Sequence, residues 1–339
     1  MNAIGYTGGK SLNDPDAFVE FEQEFPSPSG RDLLIEVKAI SVNPVDTKVR
    51  KKTSDPQNPP LILGWDAAGK VISVGPETEL FKPGEKVFYA GSIDRPGSNS
   101  QFQLVDERIA GSMPKTLNFE EAAALPLTAI TAWEALFDRL RIPKNNSGKS
   151  ILVIGGAGGV GSIAIQLANK VAGLKIIASA SRPETKKWCI DLGAHHVVNH
   201  HEDIPKQLKD IGFGAVDYVL IFNDTDKNYP SAAEAIAPQG KICSIVENQS
   251  SLDMGLLKSK SASFHWEFMF TRPMFKTPDM VEQHHLLNEV ARLIDTGVVK
   301  TTVNQIMSPI NVENLRKAHD TLEKGSAIGK IVLKDWPST

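Results

Sequence analysis

A chain of 339 residues with a formal net charge of -3, 41% apolar and 23% charged residues, is too long for one ordinary core and reads as two globular domains. That balance, with no basic block, argues against nucleic acid as the main partner. With only two cysteines, Cys189 and Cys243, a disulfide framework and a four-cysteine zinc site are excluded.

The opening MNAIGYTGGK lacks the charged start and apolar core of a secretory signal, and the cytoplasm is the expected compartment. Residues 1–125 are strand-rich and punctuated by Pro and Gly. Short β-branched runs stand at LLIEVKAISV (33–42), AGKVISV (68–74), EKVFYA (85–90) and QFQLV (101–105), as in an antiparallel or barrel-like domain. Asn118 with Glu121 resembles a capping box and opens a helical stretch that Pro126 interrupts, a natural place for one domain to hand over to the next.

From residue 150 the pattern alternates. Apolar runs at SILVI (150–154), KIIASA (175–180), VDYVLIF (216–222) and KICSIV (241–246) are separated by helix-like segments, the mark of βα units and a parallel sheet. SASFHWEF (261–268) looks like its last strand. Asp279 and Glu282 are expected to cap a helix bearing Leu287, Val290, Ala291 and Ile294, which Gly297 ends. A final helix carries Leu315, Ala318 and Leu322 on one face, and KIVLK closes as a strand. The uncharged stretch 151–168 is nearly long enough to span a bilayer, but its clustered glycines argue for strand, turn and helix start instead, so no membrane partner is expected.

The strongest motif is GAGGVG (156–161), with G-x-G-x-x-G at Gly156, Gly158 and Gly161 and with Gly159 and Val160 between them. A buried strand precedes it and a helix follows, so its backbone N–H groups and the helix N-terminus suit a dinucleotide pyrophosphate. At the end of the next strand, ASASRPETKK, Ala180 stands where an acid would bind a ribose 2′-hydroxyl. Ser179, Ser181, Arg182 and Lys186 surround it, and hydroxyls with fixed cations suit a 2′-phosphate. NADP(H) is therefore the favoured cofactor. The alternative for Arg182 and Lys186 is a solvated helix start. His195-His196 and His200-His201 read as a solvated sheet margin rather than a metal site. Cys189 and Cys243 read as buried fillers.

With this two-domain order in place, the chain resembles the medium-chain dehydrogenase/reductases, and within them the zinc-independent quinone oxidoreductase-like branch. The resemblance spans essentially the whole length through SVNPVDTKVR (41–50), LGWDAAGKVISVG (63–75), KPGEKVF (82–88), AAALPLTAITAWEAL (122–136) and VIGGAGGVGSIAIQLA (153–168). SFHWEFMFTRPMF (263–275) looks like the subgroup often labelled zinc-type alcohol dehydrogenase-like, and Glu85 stands where many members have Asp. It implies an α/β fold: a GroES-like β-rich catalytic domain (1–126, with 275–339 returning to it) and a Rossmann doubly wound parallel-sheet domain (127–274). It also implies a homodimer acting on a small electrophilic acceptor.

In zinc-dependent members, a Cys just after the strand that here ends SVNPVD and a His in a Gly-His-Glu triplet hold the metal. Here those places hold the Asn43–Asp46 region and Gly64-Trp65-Asp66, so no metal is expected. The resemblance points Asn43 and Asp46 toward the nicotinamide as catalytic candidates, with turn chemistry as the alternative. Thr128 and Thr131 match positions that line the nicotinamide in relatives. Trp65, Trp266 and Phe268 are candidate walls of a substrate pocket. The implied function is an NADPH-dependent reductase of quinones or α,β-unsaturated carbonyls. The alternatives are a zinc-type alcohol/aldehyde dehydrogenase and a non-catalytic NADPH-binding sensor.

Overall fold

A computed structural model describes residues 1–145 and 148–337. The chain divides into two compact units, residues 1–127 with 270–339, and residues 128–269.

The first unit is built on a seven-stranded sheet. Along it lie Val303–Met307, Lys330–Lys334, Asp32–Val42, Asp66–Val74, Lys86–Tyr89 and Ala110–Ser112, and Phe102–Asp106 also pairs with Asp32–Val42. Three of the β-branched runs open these strands almost where the alternation places them, and in Phe102–Asp106 buried and half-buried positions alternate as expected for a sheet with one covered face. A smaller sheet orders Phe18–Glu22, Asn2–Tyr6 and Leu61–Ile62. Register decides what meets what. Ser41 pairs with Asp66 and Val42 with Ile331, so the residues just beyond these pairs, Asn43 and Lys330, come to the same end of the sheet as Asp66.

The second unit holds six strands, all parallel, in the order His196–Val198, Lys175–Ser179, Ser150–Ile154, Val216–Ile221, Ile236–Ser244 and Ser263–Trp266. The central strand Ser150–Ile154 is buried at every position, which is why its sequence is an apolar run rather than an alternation. The order turns back on either side of that strand, the doubly wound arrangement that binds ligands beyond the carboxyl ends of its strands.

Asn118 caps the helix Phe119–Ala123, with Glu121 reaching back to its N–H. Pro126 then opens the helix Pro126–Trp133, which continues as a wider turn over Glu134–Arg139. At that turn two carboxyls shielded from solvent, Glu134 and Glu267, share Arg139, whose Nε donates to Glu267 at 2.7 Å. Burial and the neighbouring Glu134 push the Glu267 carboxyl well above the usual range.

One expected cap does not form. The helix Glu282–Asp295 starts at Val281 without a side-chain cap, because the Asp279 carboxylate is taken by Arg272 at 3.1 Å. No helix among the described residues is long and apolar enough to cross a membrane.

Candidate functional site

The polar cluster of the first unit begins at a strand end. Asn43 leaves the strand in an extended conformation and starts the helix Pro44–Lys52, whose first residue, a proline, has no N–H to satisfy. Asp46, on the first turn, accepts the Asn43 N–H at 2.7 Å. The Asn43 amide N donates to Asp66 Oδ2 at 2.9 Å and to Ser41 O at 3.3 Å. Asp66 Oδ1 accepts the Leu127 N–H at 2.8 Å.

Lys330 completes the cluster. Its ammonium donates to Val42 O at 3.1 Å and to Asn43 Oδ1, and it stands 3.0 Å from Asp66 Oδ2. Its side chain is only 3% exposed and that of Asp66 is fully buried. An ammonium only donates and a carboxylate only accepts, so the two together leave the Asn43 amide one orientation, with its oxygen toward Lys330. Both ends of the amide are thereby engaged within the cluster. Asp46 is fully buried with Oδ1 unpartnered. Burial pushes its carboxyl up to about 7, and the nearby Asp66 adds to this, against the pull of the Asn43 N–H and Lys330.

A zinc ion at this place would need three ligands of cysteine, histidine or carboxylate type. The residues present do not fit one. Trp65 is buried, its indole N–H donates to Ser92 O at 3.0 Å, and its ring packs edge-on against Phe270. Asp66 already faces an ammonium. The turn before it requires glycine: Gly64 has φ +91°, and a Cβ there would come within 2.5 Å of Asn99 Oδ1. Among the described residues no group of three or more His, Cys, Asp and Glu is arranged to hold a metal. His195 Nδ1 instead accepts the Ile176 N–H at 3.0 Å, tying the end of one strand to the next.

In the second unit the glycine-rich turn is a cradle shaped by close approach. A Cβ on Gly161 would meet Gly155 O at 2.3 Å, and one on Gly156 would meet Ala178 Cβ at 2.9 Å. A Cβ on Gly158 would meet only Gly155 O at 3.5 Å, so at that position the fold leaves room for a ligand. Gly158 caps the helix Gly159–Lys170, whose first N–H groups (Gly159, Val160, Gly161) have no partner within the helix and present its positive end. These residues fit a dinucleotide pyrophosphate.

Ser179 is turned inward, with its Oγ accepting the Gly155 N–H at 3.0 Å, so it braces the turn. Ala180 is buried at the strand end. Arg182 follows it as the cap of the helix Pro183–Asp191, and its Nε lies 3.1 Å from the exposed Glu184, a contact weak enough for a phosphate to displace. Ser181 is half-buried and Lys186 exposed, on the same segment. Thr128 and Thr131 are buried on the helix Pro126–Trp133. Trp266 and Phe268 are each 45% exposed, on and just after the last parallel strand. Lys330 escaped the sequence reading. Its local signal is slight, a lysine at the first position of the strand KIVLK, which also ends in one.

With this geometry in hand, comparison with known proteins gives the following. Residues 29–128 match the alcohol dehydrogenase GroES-like domain and residues 192–333 the zinc-binding dehydrogenase domain. A zinc-type alcohol dehydrogenase-like protein of Staphylococcus aureus is 45% identical over 98% of this chain and 99% of its own length. The quinone oxidoreductase of Rattus norvegicus is 31% identical over 91% of this chain and 90% of its own. A Rhizobium etli crystal structure, provisionally designated a zinc-dependent alcohol dehydrogenase, superposes with a TM-score of 0.94 at 50% identity and covers 100% of this chain and 99% of its own.

Proposed function

We propose that this chain, which belongs to the medium-chain dehydrogenase/reductase superfamily, is an NADPH-dependent reductase of quinones or α,β-unsaturated carbonyls that works without zinc. The observation that carries the reading is Lys330. Where zinc-dependent relatives of the superfamily place a metal ligand set, this chain holds Asn43 and Asp66 locked by an ammonium at 3.0 Å. A tethered single charge offers no open coordination position, so polarisation of an acceptor oxygen falls to hydrogen bonds. Hydrogen bonds suit a conjugated acceptor, whose reduced form spreads its charge, better than a simple alcohol/aldehyde pair.

Gly156, Gly158 and the N–H groups of Gly159, Val160 and Gly161 would hold the pyrophosphate. Ser181, Arg182 and Lys186 would take the 2′-phosphate, with no acid at Ala180 to oppose it. Thr128 is the candidate beside the nicotinamide. When bound, the cofactor supplies the hydride. Asn43 and Asp46 act as positioning residues: the network holds the first turn of the helix Pro44–Lys52 rigid, and the neutral form of Asp46 keeps a second buried negative charge away from Asp66. The exposed Trp266 and Phe268 lie at the sheet edge and favour a homodimer built there, with Trp65 confined to packing.

The test is NADPH oxidation with a quinone, an enone and a simple aldehyde as parallel acceptors. Turnover of the first two with little of the third is expected. Turnover confined to the aldehyde would overturn the acceptor class, and tight NADPH binding with no turnover of any acceptor would replace the reductase by a sensor.

A further inference from the structure

Apart from this polar cluster, the first unit carries a cavity of about 450 Å³, lined among others by Lys10, Ser11, Arg50, Lys51, Ser54 and Glu323. That volume lies in the range of small-molecule sites. Its walls are held by backbone. The Gly9 N–H donates to Thr53 O at 3.0 Å and the Gln57 N–H to Thr7 O at 2.8 Å. Gly8, at φ +79°, packs so tightly that a Cβ would stand 1.9 Å from Asp55 O. The loop after the first strand is thus fastened against the loop after the helix Pro44–Lys52.

The chemistry of the lining is cationic. Arg50 has a side chain only 3% exposed, with its guanidinium carbon 5.9 Å from the centre of the Tyr6 ring. It donates to Glu323 through Nη2, while its Nε–H is buried without an acceptor. Glu323 also serves Lys51, at 3.1 Å, so two cations share one carboxylate. Lys10 adds a third cation. Its partners Asp14 and Asp16 lie at 4.0 and 3.8 Å, the outer limit of ion pairing, with side chains 38% and 76% exposed. Cations in a last helical turn complement the dipole, which accounts for the exposed Lys51 and Lys52. It does not account for a guanidinium withdrawn from water with a donor unused, since such groups are buried where an acceptor completes them.

We propose that this cavity binds a small organic oxyanion, a phosphate or carboxylate group held by Arg50, Lys51 and Lys10. The Arg50 guanidinium, anchored on Glu323, adds a fixed positive charge beside the Lys51 and Lys10 ammoniums, the hydroxyls of Ser11 and Ser54 add neutral donors, and Tyr6 and Leu12 offer an apolar side to the body that carries it. The site is independent of the dinucleotide turn, whose residues all belong to the other unit.

Calorimetric titration of the full chain at low ionic strength, with inorganic pyrophosphate and with citrate as probes, tests it. Pyrophosphate can also settle in the dinucleotide turn, so each titration is repeated on Gly158→Ala, which places a methyl in that turn, and on the double variant Lys10→Gln/Lys51→Gln. Lys51 is exposed and Lys10 partly so, and neither change is expected to disturb folding. The expected result is a saturable event that survives Gly158→Ala and weakens at least roughly tenfold in the double variant, the loss of two charge-assisted contacts. Preference for pyrophosphate would identify a phosphoryl ligand and preference for citrate a carboxylate. No event with either probe, or an event unchanged in the double variant, would overturn the proposal.

Discussion

Replacing Lys330 with methionine shortens the unbranched side chain by one atom and removes its charge, so it asks what the buried ammonium contributes. Three oxygens lose a donor at once: Val42 O, Asn43 Oδ1 and Asp66 Oδ2. The first two are neutral acceptors that lose one partner each, a smaller loss than that of the charged one. The third is a fully buried carboxylate that keeps the Asn43 amide and the Leu127 N–H but loses its counter-charge. Breaking one side of such a pair costs about 3–5 kcal/mol, and that is the expected loss for Lys330→Met. The double variant Lys330→Met/Asp66→Asn removes the stranded charge as well and is expected to recover half or more of it. Hydrogen exchange of amides in the strand Asp32–Val42 reads the opening free energy of this unit without interference from the other. A loss below about 1 kcal/mol, or a double variant no better than the single, would refute the view that Lys330 acts by neutralising Asp66.

The remaining predictions concern a proton, a glycine and two thiols. Asp46 is protonated in the folded chain up to about pH 7, whereas its unfolded form loses the proton near the ordinary value of 3.8. Folding therefore takes up a proton in that window: the stability this confers is complete below 3.8 and is lost as pH rises through 7, on the order of 1–4 kcal/mol in all. Asp46→Asn is expected to flatten that slope in urea denaturation measured from pH 4 to 8. An unchanged slope would mean that Asp46 is charged when folded. Gly158→Ala places its methyl at ordinary contact distance, 3.5 Å, from Gly155 O, so the protein should fold with its melting temperature nearly unchanged while NADPH binding, read by cofactor fluorescence, weakens more than roughly tenfold. Equal affinity would remove the turn from the cofactor site. Both cysteines are buried, and desolvation raises the Cys189 thiol to about 12 and the Cys243 thiol higher still. Neither should react with a thiol reagent until denaturant is added, and fast labelling of the native chain would contradict this.

What the sequence made legible follows the range of each interaction. The parallel sheet and the glycine turn are written in consecutive residues: an apolar strand, the turn 155–161, then a helix, so the local pattern is enough. The same holds for the capping box of Asn118 and Glu121. Asp279 and Glu282 show the same spacing and make no box, because Arg272, outside the motif, binds the Asp279 carboxylate. Lys330 was invisible for a related reason. It reaches Asn43 across 287 residues, and only the antiparallel register of the C-terminal strand on Asp32–Val42 brings the two together. Arg50 likewise meets Glu323 across 273 residues. Trp65 and the want of a cysteine in the first domain were legible as out of keeping with a metal site, but the cation that takes up the charge of Asp66 was not.

Zinc-free hydride transfer is tested most directly by elemental analysis of the purified protein, followed by NADPH oxidation with a quinone before and after exhaustive chelation. The Lys330-locked cluster predicts less than stoichiometric zinc and a quinone turnover that chelation leaves unchanged. One tightly held zinc per chain, whose removal abolishes turnover and whose return restores it, would contradict it.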